Sequence, residues 1–183
     1  PTRRSSDLVL AAALTALLVA LAAPAAAQNA GGRGKSPNMP NFKIAGKATA
    51  IEGDFLMVDG KTVRLMGVDA PDPGQRCKNK YGSEYDCFAI STAVLRNLVE
   101  NDDVECVIAD KDRNGQNQGE CKVRGVDLGA AMVARGWAFA YRSLTPAYAS
   151  AEAYAQTNRF GMWAGKVEKP WAWRSRQLRE KAK

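Results

Sequence analysis

The chain has 183 residues, with 26 Lys or Arg against 19 Asp or Glu, and it contains no histidine. The lack of histidine excludes serine–histidine and cysteine–histidine triads, zinc hydrolases built on imidazole, and histidine-dependent nucleases. General acid–base chemistry is left to carboxylates, and charge stabilisation to Arg, Lys or a metal ion. Residues 166–183 hold seven basic side chains against Glu168 and Glu180. The basic charge therefore belongs to the C-terminal end, where it indicates either a solvated helix or a contact with a polyanion.

The first 41 residues are predicted to precede the folded domain. Residues 1–27 combine an early arginine pair, an unbroken run of Leu, Val, Ala and one Thr over 8–23, and a small-residue cleavage site, which is the pattern of a signal peptide. The run is too short and too rich in alanine for a membrane span. Residues 28–41 are rich in Gly, Pro, Asn and Ser, which is typical of a flexible linker. We expect an exported protein, periplasmic or secreted, that is not inserted in a membrane once the signal is removed.

A hairpin is predicted at the start of the domain. The apolar runs Phe55–Val58 and Val63–Val68 flank Asp59-Gly60, a residue pair strongly preferred in two-residue type I′ turns. Pairing about this turn places Asp54 opposite the second strand and not opposite Asp69. A third strand or some curvature is therefore needed to bring these two carboxylates together.

The ends of this hairpin carry a candidate site. Asp54, Asp69 and Arg64 supply two hard oxygen donors and one planar cation, which suits a metal ion and a phosphate group. The plainer interpretation makes the two acids ordinary turn residues and Arg64 a solvated strand residue. Spacing alone does not decide between them.

The rest of the chain alternates between strands and helices. Three strands, a helix, two strands and two helices form the order expected of an OB-fold, a five-stranded barrel with a helix between its third and fourth strands. The further predicted elements are a strand at Ile44–Ile51, a helix with Ser83 as N-cap that reaches Leu98, strands at 104–109 and 118–123, a helix at Val126–Arg135, an extended segment at Trp137–Tyr141, and a helix from Thr145 to Arg159.

Four cysteines agree with export, because an even count after a signal peptide indicates two disulfides. Cys106 and Cys121 lie on the two strands that flank the loop 110–116, and antiparallel pairing places them opposite each other. Cys77–Cys87 then follows by elimination. A four-cysteine zinc site is the alternative, but the sequence contains no C-x₂-C pair.

Five short motifs resemble, in order and spacing, the thermonuclease (staphylococcal-nuclease-like) family, including its exported bacterial members with two disulfides. The resemblance covers about residues 44–174, and we place the domain at 42–174 and a basic tail at 175–183. It implies an α+β fold, an OB-fold barrel with three helices, and in active members Ca²⁺-dependent cleavage of DNA and RNA. The motifs are Gly53-Asp54, Val63–Pro71, Asp112–Gly115, Gly136-Trp137-Ala138 and Gly161-Met162-Trp163.

The same resemblance implies roles for individual residues. Asp54, Asp69 and the carbonyl of Ala70 would bind Ca²⁺, and Arg64 would hold the scissile phosphate. The family has a glutamate just after the proline, which positions or deprotonates the attacking water, and this chain has Asp72 there.

A second departure concerns the later loop, where the family has another phosphate-binding arginine and this chain has Gln116. Asp72 reaches about 1.5 Å less than glutamate, and a misplacement of about 1 Å can cost about 100-fold in rate. An amide at Gln116 cannot supply the positive charge, which is commonly worth about 3–4 kcal/mol. Arg113, Lys122 or Arg124 could supply it from nearby, and Tyr141 could stack on a base.

We therefore predict a monomeric, metal-dependent nuclease of reduced activity, with nucleic acid as substrate and Ca²⁺ as cofactor. The alternative is a non-catalytic module of the cell envelope that binds a polyanion or a protein in the same cleft.

Overall fold

The computed structural model describes residues 42–112 and 114–183. The predicted signal peptide, the linker and Arg113 lie outside the described residues. The strands are β1 (Phe42–Glu52), β2 (Phe55–Val58), β3 (Lys61–Leu65), β4 (Val68–Asp69), β5 (Arg76–Lys78), β6 (Glu84–Asp86), β7 (Asp103–Lys111), β8 (Asn117–Val123), β9 (Val126–Asp127) and β10 (Phe139–Ala140). The helices are α1 (Cys87–Val99), α2 (Leu128–Ala134), α3 (Ala149–Thr157) and α4 (Pro170–Lys181), with a 3₁₀ turn at Gly161–Ala164.

Five of the strands close into a barrel. β1 pairs with β2 and with β7, β2 pairs with β3, and β7 pairs with β8, all antiparallel. The parallel pairing of β3 with β8 closes the ring. Alternate residues of β7 point inward, and Val104, Cys106 and Ile108 are buried. The predicted OB-fold, with a helix between the third and fourth barrel strands, is confirmed.

The central hairpin forms as predicted up to Leu65. Asp59 and Gly60 both have positive φ, at 47° and 71°, as a type I′ turn requires. The predicted second strand is interrupted, however, because the chain turns at Gly67, whose φ is 80°. β4 then leaves the barrel and pairs with β10, with Asp69 opposite Phe139. This turn provides the curvature that we expected to be needed to bring Asp69 toward Asp54.

Both predicted disulfides are confirmed. Cys106 and Cys121 are direct partners across β7 and β8, and a disulfide joins them. Cys77 and Cys87 are joined at the base of the short β5–β6 hairpin. All four cysteines are therefore paired.

Two helices begin later than predicted. α1 begins at Cys87, with Asp86 as N-cap accepting from the Ala89 N–H at 2.9 Å, because the residues after Ser83 pair with β5 instead. α3 begins at Ala149, and the Thr145 hydroxyl accepts from the Ala147 N–H in a turn before it. α2 agrees with its prediction more closely, since Asp127 caps its start and Gly136 has a φ of 72° just past its end.

A fourth helix, α4, adds to the three predicted for the domain and agrees with the helical interpretation of the basic C-terminal end. It crosses the position where we placed the end of the domain, and Pro170 begins it at the position that favours proline. Trp171 packs edge-on against Phe139 and Tyr141, with ring centroids 6.1 and 5.7 Å apart. None of the helices in the described residues is both long and apolar enough to cross a bilayer.

Candidate active site

Arg64 and Asp54 form the centre of the site. Arg64 stands on β3 opposite Phe55, and its guanidinium lies over that ring, 4.6 Å from the centroid. Its Nη1 donates to Asp54 Oδ1 at 2.9 Å. Glu52 and Asp112 contact the same guanidinium at 3.5 Å. Three carboxylates therefore share one arginine, which fixes the plane of its guanidinium.

Asp54 is buried next to the segment that carries Asp69. Only 3% of Asp54 is exposed, and this burial raises the pKa of its carboxyl to about 7, against the lowering effect of Arg64. The negative charge of Asp69 raises the pKa further, and a hydrogen bond from the Ala70 backbone N–H lowers it. The structure thus brings together Asp54, Asp69 and Ala70, the three residues that the sequence suggested as metal ligands.

Asp69 and Asp72 are joined by an arginine from α4. Arg174 Nη2 donates to Asp69 Oδ2 at 2.6 Å, and Nη1 donates to Asp69 Oδ1 at 3.1 Å and to Asp72 Oδ2 at 2.8 Å. Burial raises the pKa of the Asp72 carboxyl, and Arg174 opposes this effect. Asp69 and Asp72 are therefore linked through one guanidinium, which lies between their carboxylates.

Gln116 lies on the side of the site that holds Arg64. Its backbone N–H donates to Asp112 Oδ1 at 3.0 Å, and the other oxygen of that carboxylate contacts Arg64. Within the described residues, the buried side-chain oxygen of Gln116 has no hydrogen-bond partner. Gln116 is therefore near the predicted phosphate-binding residue but brings no charge.

Tyr141 follows β10, which pairs with the strand of Asp69, and its backbone N–H donates to the Gly67 carbonyl at 2.9 Å. With Trp171 it forms part of a pocket of about 470 Å³ that Arg142 and Lys169 also line. Arg113, the other predicted substrate-binding residue, lies outside the described residues.

Sequence reasoning missed three residues of the site. Glu52 ends β1, two residues before Asp54, and asking which side chains share that strand end would have found it. Gln75 is fully buried and links Asp72 to the segment before α4. Arg174 left no local signal, because its partners lie more than 100 residues earlier in the chain.

A hard divalent cation fits the donors present. Carboxylate and carbonyl oxygens are the ligands that Ca²⁺ prefers, and Asp54, Asp69 and Ala70 supply them. Five carboxylates face two guanidinium groups here, so the site has an excess of negative charge. In the described part of the chain no three Asp, Glu, His or Cys side chains are placed so that together they could hold a metal ion. Both carboxylate oxygens of Asp69 accept hydrogen bonds from Arg174, so metal binding would require Asp69 to loosen these contacts.

The profile of the family described as "Staphylococcal nuclease homologue" matches residues 62–165. The chain is 31% identical over 128 residues to the "Succinoglycan biosynthesis protein ExoI" of Rhizobium meliloti (strain 1021). The matched region covers 68% of this chain and 67% of that protein. It is 30% identical over 125 residues to the "Probable staphylococcal-like nuclease CAN1" of Oryza sativa subsp. japonica, which covers 67% of this chain. The match spans only 35% of the rice protein. The family profile covers more than half of the chain and includes most of β3, Asp69 and Asp72, so this chain belongs to the staphylococcal nuclease homologue family.

Proposed function

We propose that this protein is a Ca²⁺-dependent nuclease that hydrolyses phosphodiester bonds of nucleic acid with reduced activity. The observation that carries the proposal is the convergence of Asp54, Asp69 and Ala70 beside a guanidinium held by three carboxylates. A site with this composition provides oxygen donors for a hard cation and a planar donor for a phosphate oxygen.

Each residue contributes a defined step. Arg64 donates to a non-bridging phosphate oxygen and stabilises the negative charge that develops there during attack. Asp72 accepts a hydrogen bond from the attacking water and orients it toward phosphorus. Asp54, Asp69 and the Ala70 carbonyl would hold the cation, which supplies Lewis-acid polarisation of the phosphate when bound. Asp54 itself is buried, and electrostatic interactions are stronger in such an environment than in water.

Two differences from the family pattern, Asp72 and Gln116, are the reason we expect reduced activity. Asp72 is shorter than glutamate, so the water that it orients lies about one methylene from the best position. Asp112 contacts both Gln116 and Arg64, so Gln116 lies close to the phosphate-binding group, but it is uncharged.

Tyr141 and Trp171 lie beside β10, where they can stack on a base that flanks the scissile bond.

A second candidate function is a non-catalytic module that binds a polyanion or a protein. Asp69 and Asp72 already have a cationic partner in Arg174, and this pairing favours a cleft that does not need a metal ion. The name of the bacterial relative refers to succinoglycan biosynthesis and not to a nuclease.

Cleavage assays separate the two functions. We expect the wild-type chain to cleave DNA with Ca²⁺ and to lose this activity with EDTA, and we expect Asp54→Ala to abolish it. Asp103→Ala is the matched control, because the Asp103 side chain is 66% exposed and its ion pair among the described residues is with the exposed Lys47. If the wild-type chain cleaves no faster than Asp54→Ala, the binding module is the better description.

We also propose that the protein is exported to the periplasm or secreted and acts as a monomer. The two disulfides support this location, because such bonds persist mainly in oxidising compartments. Detection of the disulfide-bonded protein outside the cytoplasm, with its N-terminus near residue 28, would test the export signal.

A further inference from the structure

Arg174 is oriented into the acidic site by hydrogen bonds to two side chains. Nη1 uses both of its N–H groups, one toward Asp69 and one toward Asp72, and Nη2 uses one toward Asp69. A guanidinium has five N–H donors, so the Nε–H and one Nη2–H remain for another acceptor. The side chain is 43% exposed, so it is not enclosed by the protein.

The helix that carries Arg174 is fixed at its start. Pro170 is buried, and Trp171 packs against Phe139 and Tyr141. The side chain of Gln75 donates to the Glu168 carbonyl at 2.6 Å just before the helix. Trp171 and Arg174 are three residues apart, so they share a helix face, and packing of the first positions the second.

An anionic phosphodiester meets a repulsive field at this site. Glu52, Asp54 and Asp112 surround Arg64, and their excess charge offsets its attraction for phosphate. Asp69 and Asp72 would add two more negative charges on the other side if Arg174 were absent. A positive group on the side of Asp72 would therefore strengthen the attraction of the substrate beyond what a bound cation supplies.

We propose that Arg174 is a catalytic residue of the proposed reaction, one that donates to a phosphate oxygen through the N–H groups that its carboxylate partners leave free. This inference rests on the proposed nuclease function. Arg64 and Arg174 then act from opposite sides of the acids, and the charge that Gln116 does not supply comes from α4. Asp72 and the packing of α4 hold Arg174 in place before the substrate arrives, so little side-chain entropy is lost on binding.

Substitution of Arg174 tests this role against a neighbouring control. We expect Arg174→Gln to lower kcat/KM for Ca²⁺-dependent DNA cleavage by about 100-fold, which is typical for loss of one charge-stabilising donor. Arg174→Lys should keep part of the activity, because the charge remains but the forked donor geometry is lost. Arg176→Gln is the control, since Arg176 stands on the same helix, is 40% exposed and pairs with Glu168 and Glu180.

A DNA-binding measurement tests the proposed contact between Arg174 and phosphate in the absence of the metal. With EDTA present, fluorescence anisotropy of a labelled single-stranded DNA should show weaker binding for Arg174→Gln than for Arg176→Gln. The slope of log affinity against log salt should fall by about 0.7 if one phosphate contact is lost. Equal melting temperatures of the two variants would exclude a general loss of structure.

The possible outcomes separate this inference from the function on which it rests. Cleavage by Arg174→Gln at the wild-type rate or faster, with an unchanged salt slope, would overturn the inference and leave the nuclease intact. Faster cleavage would show that the guanidinium blocks the cation site. If the wild-type chain itself fails to cleave, the proposed function fails, and the salt slope still decides whether Arg174 contacts phosphate.

Discussion

The guanidinium of Arg174 is bound by both oxygens of Asp69, a residue 105 positions earlier in the chain, at 2.6 and 3.1 Å. This bidentate pair links the last helix to the short strand that leaves the barrel at Gly67. Such a pair has more geometric specificity than a contact between two point charges. The acidic site is therefore assembled from both ends of the domain, and its geometry depends on α4 as well as on the barrel.

The first prediction concerns the stability of the Asp54–Arg64 pair. Arg64→Ala removes the main cationic partner of the nearly buried Asp54, so at pH 9, above the pKa of about 7 of this carboxyl, the free energy of unfolding should fall by about 3 kcal/mol. Adding Asp54→Asn should recover part of this loss, because the amide carries no charge. Urea denaturation measures both changes.

An exposed ion pair provides the control for this comparison. Lys47 and Asp103 are 75% and 66% exposed, and Lys47→Ala should change the free energy of unfolding by less than about 1 kcal/mol. If Arg64→Ala costs no more than Lys47→Ala, the Asp54 carboxylate is not held by Arg64 in solution.

Features that depend on short stretches of sequence could be predicted. The Asp59-Gly60 turn sets the register of β2 and β3, and the antiparallel pairing of β7 and β8 about their own loop places Cys106 opposite Cys121. The family motifs then placed Asp54, Asp69 and Arg64 in one site, although the hairpin alone did not. The turn at Gly67, which brings Asp69 back, could not be read from the apolar run that contains it.

Features that depend on distant contacts could not be predicted. α4 has little apolar periodicity, since polar and charged residues fill most of its positions after Trp173, and its place is set by Trp171 and Arg174. The start of α1 was misjudged because Ser83 and Asp86 are both good N-caps, and pairing of β5 with β6 selects Asp86. The competing local signals were equal, and tertiary structure decided between them.

The second prediction is a pH dependence of stability at Tyr148. Its hydroxyl donates to Asp127 at 3.1 Å, and burial, with the charges of Asp127 and Glu120, raises the pKa of this phenol well above its usual value near 10. A raised folded-state pKa stabilises the fold fully below pH 10, and this contribution is lost as the pH rises from 10 toward the folded-state value. Tyr148→Phe should cost about 1 kcal/mol at pH 8 and less at pH 11.

Urea denaturation at pH 8, 10 and 11 checks this difference. Tyr154→Phe is the matched control, because Tyr154 is 57% exposed and its removal should shift stability little at any of these pH values. A constant difference between wild type and Tyr148→Phe from pH 8 to pH 11 would contradict the assignment.

The third prediction concerns a residue that acts on the site through the backbone. Glu152 is 2% exposed, accepts from the Ala140 N–H at 3.0 Å and pairs with Arg142 at 2.9 Å. Ala140 lies in β10, which pairs with the strand of Asp69. Glu152→Leu removes the acceptor and should lower Ca²⁺-dependent cleavage by about tenfold or more, because a shift of about 1 Å in a positioned group can cost about 100-fold.

The conservative variant separates positioning from charge. Glu152→Gln keeps an oxygen for the Ala140 N–H, so its cleavage rate should stay near that of wild type even if its stability falls. Equal loss of cleavage in both variants would show that the Glu152 charge, and not its hold on β10, matters for the reaction.

The last prediction concerns Gln75, which connects the loop of Asp72 to the start of α4. Gln75 is completely buried; its Oε1 accepts from the Asp72 N–H at 3.2 Å, and its Nε2 donates to the Glu168 carbonyl at 2.6 Å. Gln75→Ala leaves both backbone groups without this partner and should cost about 2 kcal/mol of stability. Since Glu168 immediately precedes α4, the helix should also separate from the domain more often.

Limited proteolysis distinguishes this local effect from general destabilisation. Trypsin cleaves after arginine, and the arginines of α4 become accessible when the helix opens. Under conditions where the barrel stays folded, trypsin should therefore cut α4 several times faster in Gln75→Ala than in wild type. Gln156→Ala provides the control, because Gln156 is an exposed glutamine on α3. Should Gln75→Ala lose stability while α4 keeps its wild-type resistance, the packing of Trp171 and the ion pairs of Arg174 hold the helix without Gln75. In that case the position of Arg174 beside Asp72 is set by α4 itself and not by the loop beneath it.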